Sequence, residues 1–317
     1  MARVLITGAS GFVGRYLARA CSAAGDTVIG LSRGGETPER GEGVAVDLRD
    51  EPAVRDAVAG AHPDVVYHLA VLSSVGRSWE DPGRTIRDNV TTAVNMLEAL
   101  RHEAPDARVV WVSSGEVYGP PERLPVSEDA PLRPANPYAV SKATGDLLAG
   151  VYQEAHELDL VRARPFNHSG PGQLPVFIVS SLARQAAEAR LAGADKLRLV
   201  TGNPDTRRDF TDVRDVVGAH RLLAGLDGPA VYNIASSHSV SAGEQVALVR
   251  ELITPITVEH VVDPARRRAH EVMDLRGSHE RITAATGWQP EIPLRQTMAD
   301  TITWWEQELS AADGMAH

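Results

Sequence analysis

Thr7-Gly8-Ala9-Ser10-Gly11-Phe12-Val13-Gly14 is the stretch that decides how the rest of this chain is read. It follows an apolar run, Arg3–Thr7, and opens a second apolar stretch with the repeat of a helix. The spacing is G-x-x-G-x-x-G, and bare backbone of that kind lets a pyrophosphate approach the N–H groups and the positive end of the helix. A glycine-rich turn without a ligand is the alternative. The strand before and the helix after favour a dinucleotide loop, which makes Gly8, Gly11, Phe12, Val13 and Gly14 candidate cofactor contacts.

Beyond the loop, short Val/Ile/Leu runs alternate with longer amphipathic stretches. Arg3–Thr7, Thr27–Leu31, Val44–Asp47, Val65–Ala70, Arg108–Ser113 and Asp159–Arg164 are expected strands. A continuous run such as Val109-Val110-Trp111-Val112 suits a strand buried on both faces, as in a parallel sheet covered by helices. The fold class expected is α/β, a Rossmann-type doubly wound parallel sheet with a smaller mixed α/β C-terminal substrate lobe. The proline-rich linker Tyr118–Pro134 leads to a helix starting near Asn136-Pro137, an N-cap followed by proline in the first turn. After Arg164 the rhythm changes, with helices expected over Val176–Ala192, Ser241–Leu252 and Pro293–Glu308; Ser241-x-x-Glu244 is a capping box. Asp212–Leu226 and Ala230–Ile234 are expected to return to the main sheet as one more helix and strand. The domains expected are therefore 1–165 with about 210–235, and 166–209 with 236–317.

The 317 residues are 43% hydrophobic and 23% charged, the composition of an ordinary globular protein and not of a disordered or fibrous one. The 32 Lys and Arg against 42 Asp and Glu leave a net charge of −10, which argues against nucleic acid or an anionic membrane as partner. An anionic ligand must then find a local basic pocket. Cys21 is the only cysteine, so no intramolecular disulfide can form, which fits a reducing compartment. No apolar stretch reaches the roughly 18 residues of a membrane span, and Met-Ala-Arg leads straight into Val4-Leu5-Ile6 without room for a signal peptide. A cytoplasmic location is expected.

Where an NAD-binding strand usually ends in a ribose-binding acid, this chain reads Leu31-Ser32-Arg33. A hydroxyl and a guanidinium favour a 2′-phosphate, so NADP is the expected cofactor with NAD as the alternative; a solvated Arg33 is the competing interpretation. Asp47-Leu48, at the tip of the third strand, is expected beside the adenine, unless Asp47 merely ends the strand. Tyr138-Ala-Val-Ser-Lys142 puts a phenol and an ammonium on one helical face, where a nearby cation is expected to lower the phenol toward working pH. Ser114, ending the preceding strand, is the natural third member.

With these motifs in place, the chain resembles the extended short-chain dehydrogenase/reductase family of sugar-nucleotide epimerases, dehydratases and ketoreductases over essentially all its length. The resemblance implies that Ser114, Tyr138 and Lys142 form the catalytic triad, with Tyr138 moving the proton and Lys142 also holding the nicotinamide ribose. It places Leu69, Ala70 and the Pro165-Phe166-Asn167 turn along cofactor and active site. Arg164–Gln173, Arg208–Asp215 and Asp263–Val272 look most like GDP-4-keto-6-deoxymannose reductases, relatives of the GDP-mannose 4,6-dehydratases. In that group the arginines matching Arg208 and Arg268 hold the nucleotide pyrophosphate, and the glutamate matching Glu271 reaches the nucleoside. Solvated surface arginines are the alternative.

Two departures stand out. Arg268-Ala269-His270-Glu271 replaces the usual Arg-Pro-Thr/Ala-Glu, and Gly115-Glu116 stands where dehydratases carry an acid-base pair. Glu116 alone is half of that machinery, either a substrate contact or acid-base residue or else a structural carboxylate. His168, after Asn167 in the pocket turn, is as open to a substrate role as to a packing one; His68 and Trp304-Trp305 are expected in the core, and no residues have metal-ligand spacing. The activity expected is NADPH-dependent reduction of the C4 ketone of a nucleotide-activated 4-keto-6-deoxyhexose. A nucleotide-sugar 4-epimerase is the main rival and a non-catalytic NADP sensor the remote one. By resemblance, helices containing Thr85–His102 and Pro137–Leu158 pair with their copies in a homodimer.

Overall fold

The computed structural model describes residues 1–36, 41–73, 75–228, 230–266 and 272–314. The first half alternates strand and helix: β1 (Arg3–Thr7), α1 (Phe12–Ala23), β2 (Thr27–Ser32), β3 (Glu42–Ala45), α2 (Glu51–Ala61), β4 (Val65–His68), α3 (Val75–Glu80), α4 (Pro82–Glu103) and β5 (Arg108–Val112). After a 3-10 turn at Gly115–Tyr118 come α5 (Pro137–His156), β6 (Leu160–Pro165), β7 (Asn167–Ser169), α6 (Ile178–Leu191), β8 (Lys196–Thr201), β9 (Arg207–Asp212), α7 (Val213–Ala224) and β10 (Ala230–Ile234). The chain continues through β11 (Ser239–Ser241), α8 (Ala242–Leu252), β12 (Thr257–Val262), β13 (Asp274–Leu275), α9 (Glu280–Thr286) and α10 (Leu294–Gly314). Among the described residues no helix is long and apolar enough to cross a membrane.

Seven parallel strands form one sheet in the order β10-β6-β5-β4-β1-β2-β3. The order reverses at β1, where Thr7 lies opposite Leu31 on one side and His68 on the other. In such a sheet the crevice beyond the carboxyl ends at the reversal is where ligands bind. The apolar strands are covered on both faces. Val54 and Val58 of α2, Met96, Leu97 and Leu100 of α4 and Ala149 of α5 pack on one face. Leu17 and Cys21 of α1 and Val216 and Leu223 of α7 pack on the other.

A separate apolar core joins Leu182 and Ala186 of α6, Val246 and Val249 of α8 and Met298 and Ile302 of α10 to Leu199 and Val258 of the β8–β12 pair. Trp305 packs against this core and donates from its indole to Ser180 Oγ at 3.0 Å. Strand β9 is the hub between the two regions, lying between β11 and β13 and also pairing with β7. Only Phe166 separates β6 from β7, so the chain leaves the large sheet and reaches β9 in a single step. Both expected caps are present. Asn136 Oδ1 accepts from the Ala139 amide ahead of α5, and Ser241 and Glu244 close a reciprocal capping box on α8.

Two strands of the large sheet depart from expectation by two residues, the others by at most one. The third strand spans Glu42–Ala45, not Val44–Asp47: Val46 still donates to the Ser32 carbonyl at 2.9 Å, and the chain then turns at Asp47, where the Asp50 amide donates to the Asp47 carbonyl ahead of α2. The fourth ends at His68, since the amides of Leu69 and Ala70 leave the ladder for the Thr7 hydroxyl, each at 3.1 Å.

Candidate active site

Gly8 adopts φ +73°, a conformation unfavourable for side-chain-bearing residues, and a Cβ on it would sit 3.2 Å from Ala70 Cα. At Gly14 a Cβ would lie 2.2 Å from the Gly8 carbonyl oxygen, so this turn closes only on bare backbone. Gly11 caps α1 without offering a side-chain acceptor, which leaves the first helical amides for an external anion. These features fit a dinucleotide pyrophosphate. Phe12 stacks on His168 with centroids 6.2 Å apart, and Tyr16, edge-on to Phe12, donates to the Pro171 carbonyl at 2.9 Å. The segment after β7 is thereby docked on the first turns of α1, with Val13 partly buried against the α1–α7 face of the sheet.

At the end of β2 the Ser32 hydroxyl accepts from the Glu36 amide at 3.1 Å, while Arg33 is exposed. Asp47 lies past the end of β3, not on its tip. Arg49, which sequence reading missed, grips its carboxylate with Nη2 at 2.6 Å, and these hydrogen bonds hold Asp47 down to about 2. Leu48 packs on the α2–α4 core.

Ser114 precedes the 3-10 turn and its hydroxyl accepts from the Glu116 amide at 3.2 Å. Tyr138 is the second residue of α5 and is buried. Burial pushes its phenol up to about 12, the Glu116 charge acts in the same direction, and the hydrogen bond with Ser114 opposes them. The expected lowering by Lys142 is therefore corrected. The two side chains share a helical face, but the Lys142 ammonium bonds the Val112 carbonyl at the end of β5, and desolvation dominates at the phenol. Burial likewise lowers Lys142 to about 8, against the attraction of Asp146 one turn further on. Asp146 is itself clamped by the Arg164 fork, Nε and Nη2 both at 2.8 Å, next to Pro165. His68 is a core residue, stacked 4.3 Å from Trp111 and held neutral by burial, its pKa lowered to about 3.

On the other flank, Glu116 Oε2 accepts from Asn136 Nδ2 at 3.1 Å, and its Oε1 stands 3.8 Å from Arg208 Nε. Arg208 Nη1 donates to the carbonyls of Arg207 and Val272 at 2.8 and 2.7 Å. Asn167 pairs opposite Phe210, and His168 Nδ1 bonds the Phe166 carbonyl at 3.1 Å, its pKa lowered by burial. Arg268 and Glu271 lie outside the described residues. The Phe166 ring fills the space beside Gly115: a Cβ there would come within 2.8 Å of ring carbons, and one at Gly277 within 2.3 Å.

The profile of the family described as GDP-mannose 4,6 dehydratase matches residues 5–301. The chain belongs to that family. Within it and around it, the chain is 37% identical over 310 residues to the GDP-6-deoxy-D-mannose reductase of Pseudomonas aeruginosa, covering 97% of this chain and 98% of the relative. It is 32% identical to the UDP-glucose 4-epimerase of Mycolicibacterium smegmatis, over 96% of this chain and 99% of the relative. Among solved structures, RMD from Pseudomonas aeruginosa complexed with NADPH superposes with a TM-score of 0.82 at 36% identity, covering 97% of this chain and all of that one. MoeE5 in complex with UDP-glucose and NAD gives 0.85 at 31% identity, covering 96% and 99%.

Proposed function

We propose that this member of the family reduces the C4 ketone of a nucleotide-activated 4-keto-6-deoxyhexose with NADPH, in the manner of a GDP-4-keto-6-deoxymannose reductase. The observation that carries the proposal is the 37% identity to GDP-6-deoxy-D-mannose reductase across nearly the whole of both chains. Ser114, Tyr138 and Lys142 supply the acid chemistry such a reduction requires. When bound, a dihydronicotinamide supplies a hydride to the sugar carbonyl carbon. Ser114 holds the carbonyl oxygen and Tyr138 delivers a proton to it as it becomes an alkoxide; a phenol pushed up to about 12 is fully protonated at neutral pH and suited to donate. The Lys142 ammonium, on the same helical face, is the cation available to offset the phenolate left behind.

Gly8–Gly14 takes the pyrophosphate of the cofactor, Ser32 and Arg33 its 2′-phosphate, Asp47 and Leu48 the adenine side, and Leu69, Ala70 and Pro165 line the nicotinamide half. Asn167, His168 and Arg208 serve the nucleotide sugar, with Glu116 at the edge of that site beside Arg208 and with Arg268 and Glu271 as further contacts by resemblance. The dinucleotide domain comprises 1–165 with about 210–235, and the substrate lobe the remainder. The Phe166 ring beside Gly115 supports reduction over dehydration, since it occupies the room a second acid would need. An epimerase outcome has the support of the 32% identity to UDP-glucose 4-epimerase. Incubation with GDP-4-keto-6-deoxymannose and NADPH tests the choice. Stoichiometric NADPH oxidation supports the reductase. Interconversion of C4 epimers with nicotinamide retained through purification supports the epimerase.

The chain is further proposed to form a homodimer through α4 and α5, where Ile86, Val140, Leu147 and Val151 are exposed. A monomeric mass by light scattering at micromolar concentration overturns that assembly.

A further inference from the structure

Arg208 and Glu116 reach each other from different parts of the fold, Arg208 from β9 and Glu116 from the turn that follows β5. Their charged groups stand 3.8 Å apart, and each side chain is 17% exposed, sheltered but not sealed from water. The guanidinium is not swinging freely: the carbonyls of Arg207 and Val272 hold Nη1, which turns the Nε edge toward the carboxylate. The second oxygen of Glu116 is tied to Asn136, and Asn136 caps the helix that carries Tyr138 and Lys142.

We infer that Glu116 is the internal competitor of the substrate's diphosphate, so that the carboxylate and the phosphate oxygens exclude one another from the same edge of Arg208. The inference rests on the proposal that Arg208 contacts the diphosphate. Its physical basis is that two anions sharing one guanidinium edge repel each other in a sheltered site, where water screens them poorly. Binding a nucleoside diphosphate then displaces Glu116 from Arg208 and leaves it bonded to Asn136. The sign of the effect separates this role from that of an ordinary ligand contact. A carboxylate that accepts a hydrogen bond from the ligand strengthens binding, whereas a competing one weakens it.

The test is calorimetric titration of the NADP-saturated protein with GDP, or with whichever of UDP, dTDP, CDP and ADP gives the larger thermal shift. Glu116→Gln keeps an acceptor for Asn136 and removes the charge, so the nucleotide should bind about two- to tenfold tighter, as expected when a partly exposed ion pair no longer has to be broken. Glu116→Asp, which withdraws the charge from Arg208, should tighten binding in the same direction. Arg208→Ala should weaken binding about tenfold or more, and adding Glu116→Gln to it should then yield no gain. Unchanged NADP affinity certifies that each variant is folded. Weaker or unchanged nucleotide binding in both Glu116 variants, with Arg208→Ala still impaired, overturns the competition and leaves the diphosphate assignment standing. Wild-type affinity in Arg208→Ala overturns both.

Discussion

The Gly8–Gly14 loop and the Arg208–Glu116 face are built by opposite means. The loop is a consecutive stretch whose glycines present bare backbone, shaped by what a Cβ would strike: the Gly8 carbonyl oxygen at 2.2 Å from position 14. The other face is made of a charged pair, Arg208 from β9 and Glu116 from the turn after β5, with the Asn136 amide from the start of α5. Backbone amides offer little freedom and little adaptability, while paired side chains can exchange partners. On the proposed assignment, the side that takes the cofactor is rigid by sterics and the side that takes the substrate is adjustable by charge.

The strongest test of the division acts between the two regions. Tyr138→Phe keeps the ring and removes the proton, so turnover should fall by about 10²–10⁴ with both nucleotides still bound. Near-wild-type turnover in stopped-flow NADPH oxidation removes Tyr138 from the chemistry. Gly14→Ala acts on the rigid region alone. Overpacking of one methyl against backbone costs about 1–3 kcal/mol, so NADPH affinity should drop about ten- to hundredfold while nucleoside diphosphate affinity is kept. An equal loss for both ligands by calorimetry would show that the two regions are not independent.

The third test uses pH. Burial sets Lys142 at about 8, so its ammonium is present below that pH and lost above it. The kcat/KM for ketone reduction should therefore fall on the alkaline side, by about tenfold per pH unit well above 8. A profile flat to pH 10 would mean that the charge is not required. The smallest effect is expected at Arg33, which is exposed and screened. Arg33→Ala should narrow the preference for NADPH over NADH about tenfold or less, and equal dissociation constants for the two in the wild type would overturn recognition of the 2′-phosphate.

Legibility followed the same division. The loop, the Tyr138–Lys142 spacing and the caps at Asn136 and Ser241 are each complete within a few residues, and all take the local form expected of them. Thr7 escaped notice because its hydroxyl serves amides at Leu69 and Ala70 on another strand, although a threonine just before the first loop glycine was a visible hint. Arg49 was within reach of sequence reasoning, two residues after Asp47, and was passed over for the strand pattern.

Local periodicity and the rules of backbone conformation let the sequence alone determine the doubly wound layout, the position of the glycine turn and the helical face that carries phenol and ammonium. Three matters belonged to the tertiary structure. Burial set the direction of the Tyr138 shift, since desolvation depends on everything packed around the ring and not on one neighbour four residues away. The fit of Phe166 between Gly115 and Gly277 needed three distant segments to close on one another. The meeting of Glu116 with Arg208 required β9 to lie against both regions of the molecule, because charges separated along the chain interact only where folding brings them within a few ångströms.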